Sequence, residues 1–292
     1  MKTEAMRFQL PLPAGFRLED LLDFHRRDPL QLAEQVGATG LRKSICWQGQ
    51  PLVMELAFAA TQVSICLHGP GKDALEPALA RRWLARLIGI DQPVELFEQA
   101  FAEHPQLGPL LGRNAGLRLA QTATPFEALS WAIIGQQISV QAAVSIRRRL
   151  IAQAGVMQDG LHCYPDAGRV RQLGELGLRR VGLSATKARA LLAGCDLALP
   201  NPDTRPDPSS LETLLLAVPG IGPWTTNYTL LRGYAALDSS LHGDVAVRRG
   251  IQRLSRLRDS PSIQEAQRWL ATFSPWRSLV AAHLWQAASL NT

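Results

Sequence analysis

A turn rich in glycine and proline is the part of the chain best suited to hold a phosphate group. It consists of Val218-Pro219-Gly220-Ile221-Gly222 and lies between two segments with helical spacing, 211–217 and 223–236. Glycine permits the backbone angles of a sharp turn and leaves no Cβ between the main chain and a phosphate. Pro223 favours the first turn of the second helix, whose free N–H groups and positive dipole end point to the same place. An ordinary corner between helices would use the same residues for geometry alone, so the turn by itself leaves both interpretations open.

One carboxylate follows this turn at a spacing that favours a common functional site for the turn and the carboxylate. Asp244, in Leu241-His242-Gly243-Asp244-Val245, stands 22 residues after Gly222, at the predicted start of the next helix. An ionised carboxylate can stabilise a positive charge that develops during a reaction, and it can orient or deprotonate a water molecule. A structural helix cap is the alternative role for an aspartate in this position.

The segments before the turn predict two kinds of structure. From residue 6 to residue 68, apolar and β-branched residues alternate or cluster, which predicts antiparallel strands at 6–10, 41–47, 52–58 and 62–68 with a helix at 18–26. After Gly69-Pro70-Gly71 the spacing becomes helical. Thr124-Pro125-Phe126-Glu127 and Ser209-Ser210-Leu211-Glu212 have capping-box spacing, which predicts helix starts at Thr124 and Ser209. The further predicted helices span 74–88, 93–103, 125–135, 139–154, 184–194, 209–217, 223–236, 244–257, 261–271 and 276–289.

These elements predict an α+β fold in three parts. A small N-terminal α+β domain with an antiparallel sheet occupies 1–72, and helices in 73–124 pack with the C-terminal helical part. Helical domains occupy 125–292 and contain the two helices joined by the hairpin, 209–236. The proline-rich stretch 196–208 is predicted to be a surface connection.

Composition narrows the class of protein. Hydrophobic residues make up 46% of the chain and charged residues 19%, as in globular proteins. A net charge of +6 favours an anionic partner, nucleic acid above all, although many basic proteins bind no DNA. The apolar runs are too short to span a bilayer, and Met1-Lys2-Thr3-Glu4 leads into no apolar segment, so we expect no signal peptide and a cytoplasmic location. The scattered cysteines disfavour zinc, iron–sulfur clusters and disulfides; they are Cys46, Cys66, Cys163 and Cys195.

The combination of motifs resembles the helix-hairpin-helix DNA glycosylase superfamily, and within it the bacterial 3-methyladenine DNA glycosylase II group. The signature of that superfamily is an LPGIG-type hairpin followed about twenty residues later by an essential aspartate. The hairpin and Gly243-Asp244 match it, and the resemblance covers nearly the whole chain. Four stretches carry the closer likeness: Pro125-Phe126-Glu127-Ala128, Ile134-Gly135-Gln136-Gln137-Ile138-Ser139, Pro219-Gly220-Ile221-Gly222-Pro223-Trp224-Thr225-Thr226-Asn227-Tyr228, and Pro275-Trp276-Arg277-Ser278 with His283-Leu284-Trp285.

The resemblance implies a role for individual residues. Asp244 would be the catalytic residue, and Gln137 would enter the gap left by a flipped base, where near relatives carry leucine. Trp224, Tyr228 and Trp285 would line the base pocket, although core packing is the structural alternative for these three residues. An exposed turn is the alternative for Gln137. Arg248, Arg249 and Arg253 could meet phosphates or form a solvated basic face, and the role of His242 stays open. The implied contacts to the DNA backbone are Gly220, Ile221, Gly222 and Thr225.

The expected activity follows from position 224. Lyase-competent relatives similar to endonuclease III carry a lysine there, and often a C-terminal four-cysteine cluster; this chain has Trp224 and no cysteine after Cys195. We therefore expect a monofunctional glycosylase that flips and hydrolytically excises alkylated, 3-methyladenine-like bases from duplex DNA in base excision repair. It would act as a monomer, without a cofactor or catalytic metal.

Several points stay open. A monovalent cation on the hairpin carbonyls would be consistent with the family, and the preferred lesion is undecided. The alternatives are a non-catalytic helix-hairpin-helix DNA-binding protein and a bifunctional glycosylase/lyase for oxidised bases.

Overall fold

The computed structural model describes residues 4–204 and 206–289. Positions 1–3, 205 and 290–292 lie outside the described residues. They include the outer limits of the first and last predicted domains, part of the segment from which we expect no signal peptide, and one position of the predicted connection 196–208.

A five-stranded antiparallel sheet forms the N-terminal part, which confirms the predicted α+β class. Its strands are β1 (Met6–Pro11), β2 (Glu34–Val36), β3 (Gly40–Trp47), β4 (Gln50–Phe58) and β5 (Gln62–His68), in the order β1-β5-β4-β3-β2. Between β3 and β4, Gln48 and Gly49 take φ values of 49° and 81°, as a tight two-residue hairpin requires. The helix α1 (Leu18–His25) buries Leu21 and Leu22. The short and polar β2 has no sequence signal and was not predicted.

Twelve further helices in the described residues follow the sheet. They are α2 (Pro77–Ile88), α3 (Val94–Phe101), α4 (Gly108–Arg113), α5 (Pro125–Gly135), α6 (Val140–Ala154), α7 (Ala167–Arg180), α8 (Ala185–Asp196), α9 (Pro208–Leu216), α10 (Pro223–Tyr234), α11 (Val245–Leu254), α12 (Ile263–Ala271) and α13 (Arg277–Ser289). A small hairpin, β6 (Met157–Gln158) and β7 (Leu161–His162), separates α6 from α7. The ten predicted helices are confirmed, whereas α4 and α7 were missed. Glycines conceal α7, which is kinked at Gly174 with a φ of 61°.

The helix caps differ from the prediction at one of two places. Thr124 caps α5, because its side chain accepts a hydrogen bond from Glu127 N at 3.1 Å. The predicted cap Ser209 is wrong: Asp207 caps α9 and accepts from Ser210 N at 2.9 Å. Pro208 explains the shift, since proline suits the first helical position and forces the preceding residue into an extended, capping conformation.

The predicted surface connection 196–208 is only partly on the surface. It contains a 3-10 turn at Pro202–Thr204, and Pro202 is buried. A proline turn that packs against protein has the same composition as an exposed loop, so the sequence could not distinguish them.

Three hydrophobic cores hold these elements together. The first joins the sheet, α1 and α2, with Trp83 fully buried. The second joins α3 and α4 to α10–α13, and the third joins α5–α9. The helices of 73–124 therefore divide between two cores, while the domain limits themselves stay a prediction. None of the described helices is long and apolar enough to cross a membrane, and all four cysteines are free thiols.

Candidate active site

A cleft of about 1380 Å³ lies where the sheet domain and the second and third cores meet. Its lining includes all nine residues singled out from the sequence as site residues. They are Gln137, Gly220, Ile221, Gly222, Trp224, Thr225, Tyr228, Asp244 and Trp285. Residues from five separate elements are thus brought to one concave surface.

The hairpin between α9 and α10 borders this cleft, and its two glycines differ in kind. Gly220 has a φ of 90°, and a Cβ there would lie 3.1 Å from the Ala190 Cβ, so both backbone and space require glycine. Gly222 has a φ of −103° and open space where a Cβ would be. Among the described residues, neither glycine N–H finds a protein acceptor. The turn therefore offers two free donors beside the N-terminus of α10, where an anion binds well.

Two predicted DNA contacts prove to be largely internal. The Ile221 side chain is 4% exposed in the third core, and its N–H donates to Val218 O at 3.0 Å. Thr225 is 2% exposed, and its hydroxyl oxygen accepts from Gln136 Nε2 at 2.9 Å. Both side chains are engaged within the protein, and the contact of these two residues with the DNA backbone stays a prediction. An apolar residue between the glycines anchors the turn, because the third core lies beneath it.

Gln136 ties the turn between α5 and α6 to the hairpin, a link that sequence reasoning missed. Its Nε2 also donates to Gly220 O at 3.0 Å. Lys187 Nζ donates to Gln136 O at 2.6 Å and Ile134 O at 2.9 Å, and so holds the end of α5 from the other side. The only signal was its place in the motif 134–139.

Gln137 stands exposed at the tip of that turn with a φ of 56°. Beside it, Ile138 is 38% exposed and Val140 is 64% exposed. The tip therefore presents one amide and two apolar side chains at the mouth of the cleft. A gap-filling role and an exposed turn both remain compatible with this arrangement.

Asp244 is at once a helix cap and a cleft residue. Its Oδ1 accepts from Val247 N at 3.0 Å, which caps α11. Its Oδ2 accepts from Trp224 Nε1 at 2.9 Å, and its Oδ1 also accepts from Trp285 Nε1 at 3.2 Å. The two roles considered for this aspartate are thus not exclusive, because the half-buried carboxylate serves the helix and also lines the cleft.

Aromatic rings form the wall next to Asp244. The Trp224 and Tyr228 rings lie 5.4 Å apart at 31°, and Tyr228 is 5% exposed. The Trp285 ring lies 5.0 Å from the Arg232 guanidinium. Burial lowers the pKa of Arg232 to about 10, so the group stays charged at neutral pH. It is fixed by a hydrogen bond from NH1 to Ala120 O at 2.6 Å.

The sheet domain also contributes to the cleft, which the sequence did not indicate. Phe24, on α1, lies under the guanidinium groups of Arg27 at 4.3 Å and Arg232 at 4.5 Å. Arg27 also lies 5.7 Å from the Trp131 ring on α5. Nothing in the sequence around α1 distinguishes these residues from an ordinary amphipathic helix.

Other candidates lie outside this arrangement. His242 is not among the lining residues; its Nδ1 is 2.9 Å from Ser240 Oγ, and burial and nearby Arg277 lower its pKa, so it is neutral at pH 7. Arg248 donates to Pro261 O, and Arg253 donates to Ala287 O and Ala288 O. Within 4–204 and 206–289, no group of three or more His, Cys, Asp or Glu side chains could hold a metal ion.

Comparisons with known proteins place the chain among DNA repair proteins that contain a helix-hairpin-helix. A model of the HhH-GPD superfamily of base excision DNA repair proteins matches residues 130–275. The chain is similar to DNA-3-methyladenine glycosylase 2 of Escherichia coli K12, at 32% identity over 61% of this chain and 63% of that protein. It is also similar to a probable bifunctional transcriptional activator/DNA repair enzyme AlkA of Mycobacterium tuberculosis, at 27% identity over 95% of this chain and 56% of that protein. The chain thus spans less than two thirds of the length of either relative.

A solved structure shows the same fold. The 3-methyladenine DNA glycosylase from Archaeoglobus fulgidus superposes with a TM-score of 0.84 at 20% identity, over 97% of this chain and 98% of that one. The likeness therefore extends beyond the residues of the family match, through the N-terminal sheet.

Proposed function

The chain belongs to the HhH-GPD superfamily of base excision DNA repair proteins, and from this premise we propose that it is a monofunctional DNA glycosylase. It would extrude an alkylated base of the 3-methyladenine type from duplex DNA and hydrolyse the N-glycosidic bond. The observation that carries the proposal is the Asp244 carboxylate, held between two tryptophans in a cleft bordered by the hairpin. The similarity to a named 3-methyladenine glycosylase supports the substrate class.

The reaction needs negative charge beneath the sugar. Alkylation at a ring nitrogen makes a purine a good leaving group, so positive charge develops mainly on the deoxyribose as the bond stretches. A carboxylate held in place by protein donors stabilises that charge. The neighbouring rings of Trp224, Tyr228 and Trp285 offer aromatic surface, which attracts a cationic base and tolerates several base shapes.

Binding of the DNA backbone is assigned to the hairpin. The free N–H groups of Gly220 and Gly222 and the N-terminus of α10 suit one phosphate. The Gly220 carbonyl accepts one hydrogen bond from Gln136 and retains a second lone pair. A monovalent cation at the hairpin carbonyls stays a prediction, and it would add positive charge near the phosphate.

Hydrolysis without lyase chemistry is supported by the contents of the cleft. At position 224 an indole N–H donates to the carboxylate, and an indole cannot form a Schiff base with the sugar. No lysine of the described residues lines the cleft.

The remaining parts of the proposal are a duplex containing a damaged base as partner, action as a monomer, and a cytoplasmic location.

The test is excision from a panel of duplexes that each contain one lesion, with strand breaks developed by alkali. Asp244→Asn should lower the single-turnover rate by about 10² to 10³, the cost of losing one well-placed electrostatic group. Its affinity for an abasic duplex should stay within about threefold, because the carboxylate does not attract phosphates. Asp259→Asn, which removes the same charge from an exposed loop, is the matched control.

Three outcomes would overturn the proposal. Excision by Asp244→Asn within about threefold of the parent would remove Asp244 from the mechanism. Tight binding of duplexes without release of any base would favour the non-catalytic helix-hairpin-helix protein. Strand nicking without alkali would favour the bifunctional glycosylase/lyase.

A further inference from the structure

The Asp244 carboxylate accepts three hydrogen bonds from donors on three helices. Val247 N and Trp285 Nε1 both donate to Oδ1, at 3.0 Å and 3.2 Å, and Trp224 Nε1 donates to Oδ2 at 2.9 Å. A carboxylate offers about four lone-pair positions, so a single one, on Oδ2, remains for a substrate or a water molecule.

We infer that Trp224 and Trp285 are positioning residues for Asp244. Their indole N–H groups hold the carboxylate as an oriented anion, a role separate from any stacking of a base on their rings. The cap bond from Val247 alone would leave the carboxylate free to turn about its Cβ–Cγ bond, whereas a donor on each oxygen fixes that angle. The inference rests on the proposed function only for the role of Asp244 in the reaction.

The two donors are themselves held in place. The Trp285 ring lies against the buried Arg232 guanidinium, which is bonded to Ala120 O. The Trp224 ring packs on Tyr228. Donors fixed before the reaction need no reorganisation as charge develops, which is the condition for effective electrostatic stabilisation.

This donor set also limits what Asp244 can do. Hydrogen bonds from N–H donors are stronger to an ionised carboxylate than to a neutral acceptor. With three of them in place and one lone pair left, the group is suited to stabilise the sugar cation through its charge. Its contact with an attacking water molecule is confined to Oδ2.

In Asp244→Asn, the two ends of the asparagine amide should differ in how well they fit the surrounding donors. The amide oxygen is required at the Oδ1 position, where Val247 N and Trp285 Nε1 both donate. The amide NH₂ group then faces Trp224 Nε1, donor against donor. Asparagine therefore introduces a conflict as well as removing charge, and Trp224→Phe should relieve it.

The first arm of the test measures unfolding in urea and needs no substrate. Asp244→Asn should raise the unfolding equilibrium constant by about tenfold or more, since a donor loses its partner. Adding Trp224→Phe to that variant should recover at least about threefold, although Trp224→Phe in the parent is destabilising. If the two substitutions were simply additive, the donor contact would not exist and the inference would fall.

The second arm measures single-turnover excision and affinity for an abasic duplex. Trp285→Phe should slow excision roughly tenfold, with the dissociation constant changed by less than about threefold. In the Asp244→Asn background the same substitution should have no further effect on the rate. Trp269→Phe, at a half-buried tryptophan on α12 that packs on Phe273, is the matched control.

The two arms separate the possible failures. A rate effect of Trp285→Phe that persists undiminished without the carboxylate would show that the ring acts only by stacking and would overturn the inference. A parent protein that releases no base would refute the proposed function, while the unfolding arm would still decide whether the indoles hold Asp244.

Discussion

Lys43→Met is expected to destabilise the protein strongly, because Lys43 lies in a buried ion cluster formed by Glu34, Lys43, Glu127 and Arg147. Lys43 is fully buried, and its Nζ lies 2.5 Å from Glu34 Oε1 and 2.7 Å from Glu127 Oε1. Arg147 NH2 lies 2.9 Å and 3.2 Å from the same two oxygens. The cluster joins β2 and β3 of the sheet to α5 and α6, which flank the Gln137 turn.

The expected loss in the free energy of unfolding follows from the charges of the cluster. The parent cluster holds two cations and two carboxylates, and methionine leaves the carboxylates with Arg147 alone. In the parent cluster His25 adds no charge, because burial lowers its pKa and Lys43 lowers it further. Removing one partner of a buried ion pair costs about 3 to 5 kcal/mol, a large share of the roughly 5 to 15 kcal/mol that stabilises a typical domain.

The ion cluster should also affect the pH at which the protein unfolds in acid. Burial acts to raise the pKa of Glu34, but Arg147 and Lys43 outweigh it and hold that pKa well below the ordinary value. A lowered folded-state pKa contributes stability above the unfolded pKa, about 4.3, and that stability is lost as the pH falls through the folded value. Lys43→Met removes part of the lowering, so acid unfolding should begin at a higher pH than in the parent.

The assay is urea unfolding at pH 7, followed by acid titration of the circular dichroism signal. Arg26→Met, which breaks exposed ion pairs with Glu19 and Asp23, is the control and should change stability little. Lys43→Met with Glu127→Gln restores the charge balance and should be more stable than Lys43→Met alone. A loss below about 1 kcal/mol for Lys43→Met, or no recovery in the double variant, would refute the reasoning.

Three further predictions concern the cleft. Gly220→Ala should lower the free energy of unfolding, as measured in urea, because Gly220 has a positive φ and lies close to the Ala190 Cβ. Gly222→Ala should leave the free energy of unfolding unchanged and should weaken binding to damaged and intact duplexes equally, as measured by duplex titration. Gln136→Ala, which frees the hairpin from the α5–α6 turn, should weaken binding of an abasic duplex by roughly tenfold; unchanged affinity would show that this link does not position the hairpin. Borohydride added during excision should trap no covalent adduct, since Trp224 occupies the lysine position; a trapped complex would contradict the hydrolytic mechanism.

Local chemistry in the sequence determined most of the helices and the hairpin. Thr124 with Pro125 predicted the start of α5, and the Pro-Gly turn with Pro223 predicted the start of α10, because caps, prolines and glycines act within a few residues. The same local rules failed where composition concealed an element, as at the glycine-rich α7. The spacing from the hairpin drew attention to Asp244, whereas its catalytic role and the choice of its aromatic neighbours came from the resemblance to a known family.

Only the tertiary structure decided what each of these residues touches. Asp244 meets indoles 20 and 41 positions away, and Phe24 reaches the same cleft from another domain. Glu127, predicted to complete a capping box, instead turns into the buried ion cluster, while Ile221 packs inward. A repeating pattern shows which face of a helix is buried, but not which other element covers it. That choice depends on the packing of all the elements at once, and with it the geometry of the site.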